Sequence, residues 1–199
     1  MLSNTAYIIL GCIEKGCSTG YEIKATVDLS TRFFFPSSYG QIYPELKRLA
    51  AEGYIKGEAK TQGKRGRTEY KLTAAGRKEL GRWRKSPGTS SELRDEGLLK
   101  LFFADPADHE TLLALIRSMR DEAKSKIAEL ERVGAITHGH LDHVKQSVLE
   151  SGFDYYEQTV EWCDRAERRL LDHGSMSDPS TPVTEKAEPE QFNPPLSQA

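Results

Sequence analysis

No stretch of this chain approaches the roughly 18 apolar residues that a membrane-spanning helix requires. Its opening, MLSNTAYIILGCIEKG, has no basic start, no full signal core and no small-residue cleavage site. A soluble cytoplasmic protein with no membrane partner is therefore expected. Cysteine is scarce: Cys12, Cys17 and Cys163 are the only three, which fit neither a paired disulfide framework nor a zinc site built from two close Cys pairs. Cys12 falls in an apolar helical run and reads as a small buried side chain. Signatures of catalysis are missing as well. GxGxxG, GxxxxGK and HExxH do not occur, and no Cys, His and carboxylate set is spaced for nucleophilic work, so neither an enzyme nor a cofactor is expected. The ligand-type residues His138, His140, Asp142 and His143 in THGHLDH straddle a helix junction and read as a polar turn ahead of a metal site.

Charge is abundant and unevenly placed. Through residue 85, Lys plus Arg outnumber Asp plus Glu 16 to 8, a net of +8, while the remainder has 12 against 22, a net of −10. A polyanion would be held by the first part; RNA or plain solubility fits the same imbalance. RNA binding lacks its usual supports, since there are no RNP-like aromatic strands and no suitably placed GxxG loop. With 199 residues, 37% of them hydrophobic, the chain has room for one core or two small ones.

Periodicity supplies the elements. Residues 4–14 form a short apolar helix with Tyr7, Ile8, Leu10 and Ile13. Thr19, three before Glu22, is a capping box that opens a second helix carrying Ile23 and Val27 inward. Ser38 and Gln41 repeat the device before Ile42, Leu46 and Leu49, and Gly53 supplies the stop. Tyr54 to Ala59 and Thr68 to Thr73 read as short strands around a loop with Gly63 and Gly66, where Lys60, Lys64, Arg65 and Arg67 gather. Thr73 then caps a helix over Ala74 to Arg84, with Leu80 and Trp83 inward. Three helices, a hairpin and a closing helix make a winged helix-turn-helix. The expected fold class is mainly α with a small β-hairpin wing, over residues 1–85.

The turn-rich SPGTSS at 86–91 marks a boundary. Beyond it, 86–173 reads as a helical dimerisation and effector domain. It begins with a helix crowded by Leu98, Leu99, Leu101, Phe102 and Phe103. A longer one follows with Leu112, Ile116, Met119, Ala123, Ile127 and Leu130 down one side. A third runs from about Leu141 to Leu171 with Val144, Val148, Tyr155, Val160 and Leu170, and Gly152 as a weak point. Such stripes call for a partner surface, and a homodimer is the simplest. From 174 to 199, five prolines among Ser, Glu and Gln describe a disordered tail.

GYEI at 20–23, SSYGQIYPELKRLAAEGYI at 37–55 and KRGRTEYKLTAAGRKEL at 64–80, in this order and spacing, resemble the PadR family of transcriptional regulators across residues 3 to about 82. The RDEGLLKLFFA onset that follows is similar to the subgroup that resembles virulence gene activators. The chain departs from the commoner family pattern by carrying SSYG where Pro-Gly-Thr is usual, preceded by three phenylalanines. The resemblance implies homodimers that bind pseudo-palindromic double-stranded DNA through winged helices, often as repressors, with some members released by phenolic acids or planar drugs.

On that reading Gln41 is the candidate base reader, since an amide both donates to and accepts from adenine; its competing role is the capping box with Ser38. Tyr39 is a candidate for a phosphate or thymine methyl, Ser37 for a phosphate, and Ser38 is a further DNA-binding candidate. Tyr43 either reaches the DNA backbone or packs on Phe33 to Phe35. Lys47, Lys64, Arg65 and Arg67 are phosphate candidates, or a solvated charged surface. Phe102, Phe103, Tyr155, Tyr156 and Trp162 are candidates for an aromatic effector's pocket, or for core and dimer packing. Pro44 falls inside the third helix, as it does in the family. The competing function is an interaction protein whose helical arm recruits another regulator, with DNA binding weak or shared.

Overall fold

The computed structural model describes residues 2–62, 65–88, 94–137, 139 and 141–175. Helix α1 (Asn4–Glu14) starts where the Ser3 hydroxyl accepts the Ala6 N–H at 3.1 Å. It ends where Gly16, at φ +107°, lets the Cys17 N–H return to the Cys12 carbonyl at 3.0 Å. Helix α2 (Gly20–Asp28) has the expected box: the Glu22 N–H reaches Thr19 Oγ1 and the Thr19 N–H reaches Glu22 Oε2, both at 3.2 Å. A single 3-10 turn, Thr31–Phe33, leads to α3 (Tyr39–Ala51), which stops at Gly53 with φ +76°. Ile9, Leu10, Ile23, Ile42, Leu46 and Leu49 lie wholly out of solvent between these helices, each contributing roughly 1.5–3 kcal/mol. Cys12 joins this core, and burial, with Cys17 adjoining, pushes its thiol up to about 12.

The wing is longer than its sequence pattern suggests. Strands β1 (Ile55–Gln62) and β2 (Arg65–Leu72) pair antiparallel from Ile55↔Leu72 to Gln62↔Arg65, leaving only residues 63 and 64 between them. Lys60, Arg65 and Arg67 are therefore strand residues and not loop residues. Apolar alternation fades after Ala59, but a ladder of backbone hydrogen bonds needs no apolar face to continue. The Tyr70 N–H donates to the Ser18 carbonyl at 2.7 Å, which ties β2 to the turn before α2.

Helix α4 (Ala74–Arg84) is capped by Thr73 and buries Leu80. Trp83, expected inward, is 38% exposed; an indole is amphipathic, and one face stacks on Tyr7 at 4.6 Å while the other stays wet. Gly76 permits a close approach, since a Cβ there would stand 2.1 Å from the Tyr54 carbonyl oxygen.

Three more helices follow: α5 (Glu96–Phe103), α6 (His109–Thr137) and α7 (His143–Ser175). The chain divides into two compact units, residues 1–94 with 125–156, and 95–124 with 157–199, so α6 and α7 each contribute to both. In the first unit, Gly152 does not weaken α7: the helix runs through it, and its bare backbone receives Leu130, whose Cδ1 would meet a Cβ at 3.2 Å. In the second, Arg117 reaches Glu167 at 2.6 Å, and Arg120 pairs with Glu167 and with Asp164 at 3.0 Å, beside a fully buried Cys163. Asp142 caps α7, accepting the Lys145 N–H at 3.0 Å; His138 and His140 lie outside the described residues, as does the expected tail from 176 on. No described helix is long and apolar enough to cross a membrane.

Candidate nucleic-acid interface

Helix α3 buries one face completely, so its other face is free to carry chemistry. Tyr39, Tyr43 and Lys47 follow at i, i+4 and i+8 along that outer face, with Gly40 and Gln41 beside them at the entrance, all exposed. The rings of Tyr39 and Tyr43 stack at 5.9 Å, and Lys24 Nζ lies 5.5 Å from the Tyr39 ring centroid. Tyr43 rests on Gly20, where a Cβ would come within 2.7 Å of its ring; its partners are thus Tyr39 and this bare backbone. Gly40 has no comparable neighbour: a methyl carbon there would meet only Ser38 Oγ, at 3.6 Å, so nothing inside the fold demands glycine.

Gln41 makes the capping contact that its spacing allows. Its Oε1 accepts the Ser38 N–H at 2.8 Å, while its side-chain NH2 meets no acceptor among the described residues. One lone pair and two N–H groups remain for a ligand. Ser38 is exposed, but Ser37 is only 4% exposed and its Oγ has no hydrogen-bond partner among the described residues, which removes it from the outer surface. Lys47 has no ion pair among the described residues, whereas its neighbour Arg48 is held by Glu45 at 2.6 Å and Glu52 at 3.7 Å. On the wing, Arg67 contacts Glu69 at 2.6 Å. Lys64 and the side chain of Arg65 lie outside the described residues.

The aromatic effector candidates divide between the units. Phe102 and Phe103 meet edge to face at 5.0 Å on α5, and Trp162 is half-buried on α7, all in the second unit; Tyr155 and Tyr156 meet at 5.1 Å in the first. Of the five, only Tyr156 lines the cavity of about 650 Å³ that the first unit contains. Phe33, Pro36 and Tyr39 supply its other apolar walls; Lys24, Arg32 and Lys126 bring positive charge against Asp28; and Ser37, Ser38 and Gln41 complete the lining. Arg32 also pairs with Glu129 at 2.8 Å. Sequence reasoning missed Lys24, Asp28, Arg32 and Lys126 here. The i,i+4 spacing of Lys24 and Asp28 was a visible signal, but nothing local points to Lys126.

Residues 9–82 match the Transcriptional regulator PadR-like family, and residues 93–170 match the Virulence activator alpha C-term family. The negative transcriptional regulator PadR of Bacillus subtilis is 32% identical over 128 residues, 63% of this chain and 70% of that protein. The chain belongs to the PadR-like family. Among solved PadR structures, that of B. subtilis PadR in complex with operator DNA superimposes with a TM-score of 0.74 at 26% identity, over 83% of this chain and 98% of that one. B. subtilis PadR in complex with p-coumaric acid has a TM-score of 0.68 at 23% identity, over 86% and 99%. A mainly helical fold with a hairpin wing, as the sequence implied, is the PadR fold.

Proposed function

We propose that the chain is a sequence-specific DNA-binding regulator: residues 1–85 read double-stranded DNA, residues 86–173 join two chains, and the homodimer represses transcription from a pseudo-palindromic operator. One observation carries this reading. Helix α3 pairs a wholly buried face with an entrance that offers Tyr39, Gly40 and a Gln41 whose side-chain NH2 is unclaimed among the described residues. A helix so built enters a major groove with short polar groups leading. The B. subtilis relative, a negative regulator crystallised on operator DNA, supports the same assignment.

Release by a small aromatic acid completes the proposal. The cavity has three aromatic walls, Phe33, Tyr39 and Tyr156, with three cations against one acid, a lining suited to a planar anion. Ser38, Tyr39 and Gln41 line it and also form the entrance of α3, so an occupant there alters the surface that reads DNA. In this proposal the effector binds at the α3 entrance. The test is fluorescence anisotropy of the full chain on its own upstream region and on a scrambled duplex at physiological salt, with and without p-coumaric acid. Preference for the upstream duplex, lost on adding the acid, is expected. Equal binding to both duplexes contradicts the regulator reading, and preference that the acid leaves untouched contradicts the effector.

A further inference from the structure

The polar face of the wing carries its charges in rungs. Lys56 stands opposite Lys71, Glu58 opposite Glu69 and Lys60 opposite Arg67, so each rung sets like charges face to face, which destabilises a β pair. Attraction runs along the strands and diagonally instead. Lys56 reaches Glu58 at 3.4 Å, while Lys60 at 2.5 Å and Arg67 at 2.6 Å converge on Glu69. The two acids are not equivalent: the side chain of Glu58 is 46% exposed and that of Glu69 only 12%. The Lys60 ammonium, with Arg67 beside it, holds the Glu69 carboxyl below the usual carboxylate range, so it is ionised at neutral pH. A sunken carboxylate thus lies between two half-exposed cations.

We propose that Glu69 is a positioning residue for DNA, an internal phosphate mimic that fixes Lys60 and Arg67 and limits the wing's grip. The inference rests on the regulator reading above. Two cations and one anion leave the cluster a net single positive charge, so it counts for about one phosphate. Phosphate contacts carry no sequence information, and limiting them leaves discrimination to the entrance of α3. Fixing the two side chains in advance also lowers the entropy lost when they meet a correctly placed backbone, which favours the operator over a scrambled duplex.

The experiment is a salt titration of full-length wild type, Glu69→Gln, Lys60→Gln and the double variant, each on the upstream duplex and a scrambled one, with thermal midpoints measured alongside. On scrambled DNA, Glu69→Gln is expected to steepen the dependence of log affinity on log salt by about one unit, tightening binding roughly fivefold near physiological salt. Lys60→Gln flattens the slope by about one unit, and the double variant returns to the wild-type slope. On the upstream duplex Glu69→Gln gains less than on the scrambled one, so the preference shrinks. A Glu69→Gln chain with unchanged slope, or a double variant that does not restore it, overturns the proposal and leaves Glu69 a brace of the hairpin. Should wild type prefer neither duplex, the regulator reading falls, while the slopes on scrambled DNA still decide the role of Glu69.

Discussion

Helices α3 and α5 are both rich in apolar residues and have opposite fates. Ile42, Leu46 and Leu49 of α3 have no exposed surface, whereas α5 buries none of its residues and leaves Phe102 79% and Phe103 76% exposed. The winged head closes its own core, so what it exposes is spare and available to a ligand. The region that starts at α5 does not close its own: adjacent exposed phenylalanines, with Leu98 and Leu99 beside them, make a surface that a second copy would cover. The contrast fits the proposed division of tasks, reading in the first region and pairing in the second.

The sharpest way to break that contrast is at α5. Replacing Phe102 and Phe103 together by Glu removes up to four buried rings from a two-fold assembly, roughly 1.5–3 kcal/mol each. The dimer dissociation constant should rise by about four orders of magnitude or more. Sedimentation velocity across micromolar concentrations should then show a monomer whose head keeps its thermal midpoint; a persisting dimer would put the pairing surface elsewhere.

Within the head, two glycines give the next effect. Gly76→Ala drives a methyl into the Tyr54 carbonyl and should cost about 1–3 kcal/mol in denaturant unfolding. Gly40→Ala meets only Ser38 Oγ at contact distance and should change stability by less than about 1 kcal/mol, in the stabilising direction. It should still weaken binding to the upstream duplex, because the bare entrance of α3 is then occupied. Smaller again is Lys47→Ala, expected to weaken both duplexes alike and lower the salt slope by about one. Arg48→Ala, whose charge Glu45 and Glu52 already hold, should change the slope less.

The smallest effect concerns acid. Arg82 first, and then Tyr7, whose hydroxyl donates to Glu79 at 2.8 Å, lower the Glu79 carboxyl to about 2. A folded-state value depressed below 4.5 means that this stabilisation is complete above 4.5 and is lost as pH falls through about 2. Glu79→Gln should therefore flatten the acid decline of the head's thermal midpoint in that window and leave its shape unchanged above it.

Local signals in the sequence translated well into structure. The boxes at Thr19 and Ser38 and the stop at Gly53 depend on residues within a few positions of one another, and each stands where its spacing places it. The wing's ends were misread because Lys60 to Gln62 and Arg65 to Arg67 pair through backbone groups, which leave no apolar pattern. Trp83 misled because its residue type does not say which ring face will be covered. The cavity was illegible for a different reason. Arg32 and its partner Glu129 are 97 positions apart, and Lys126 and Tyr156 reach the α3 entrance only through the course of α6 and α7. Aromatic composition offered Phe102, Phe103, Tyr155, Tyr156 and Trp162 for an effector's pocket or for core and dimer packing, because aromaticity alone does not distinguish a pocket wall from an interface.

The central claim is that the entrance of α3 reads sequence while the rest of the head supplies grip, and Gln41→Ala tests it most directly. The full-length variant and wild type are titrated on the upstream and scrambled duplexes at several salt concentrations, with thermal midpoints recorded to account for roughly 1 kcal/mol of lost capping. The account predicts that Gln41→Ala erodes the preference for the upstream duplex by about 1–3 kcal/mol while binding to scrambled DNA and its salt slope stay as they were. Equal weakening on both duplexes, or no change on either, would contradict it and return α3 to an ordinary capped helix.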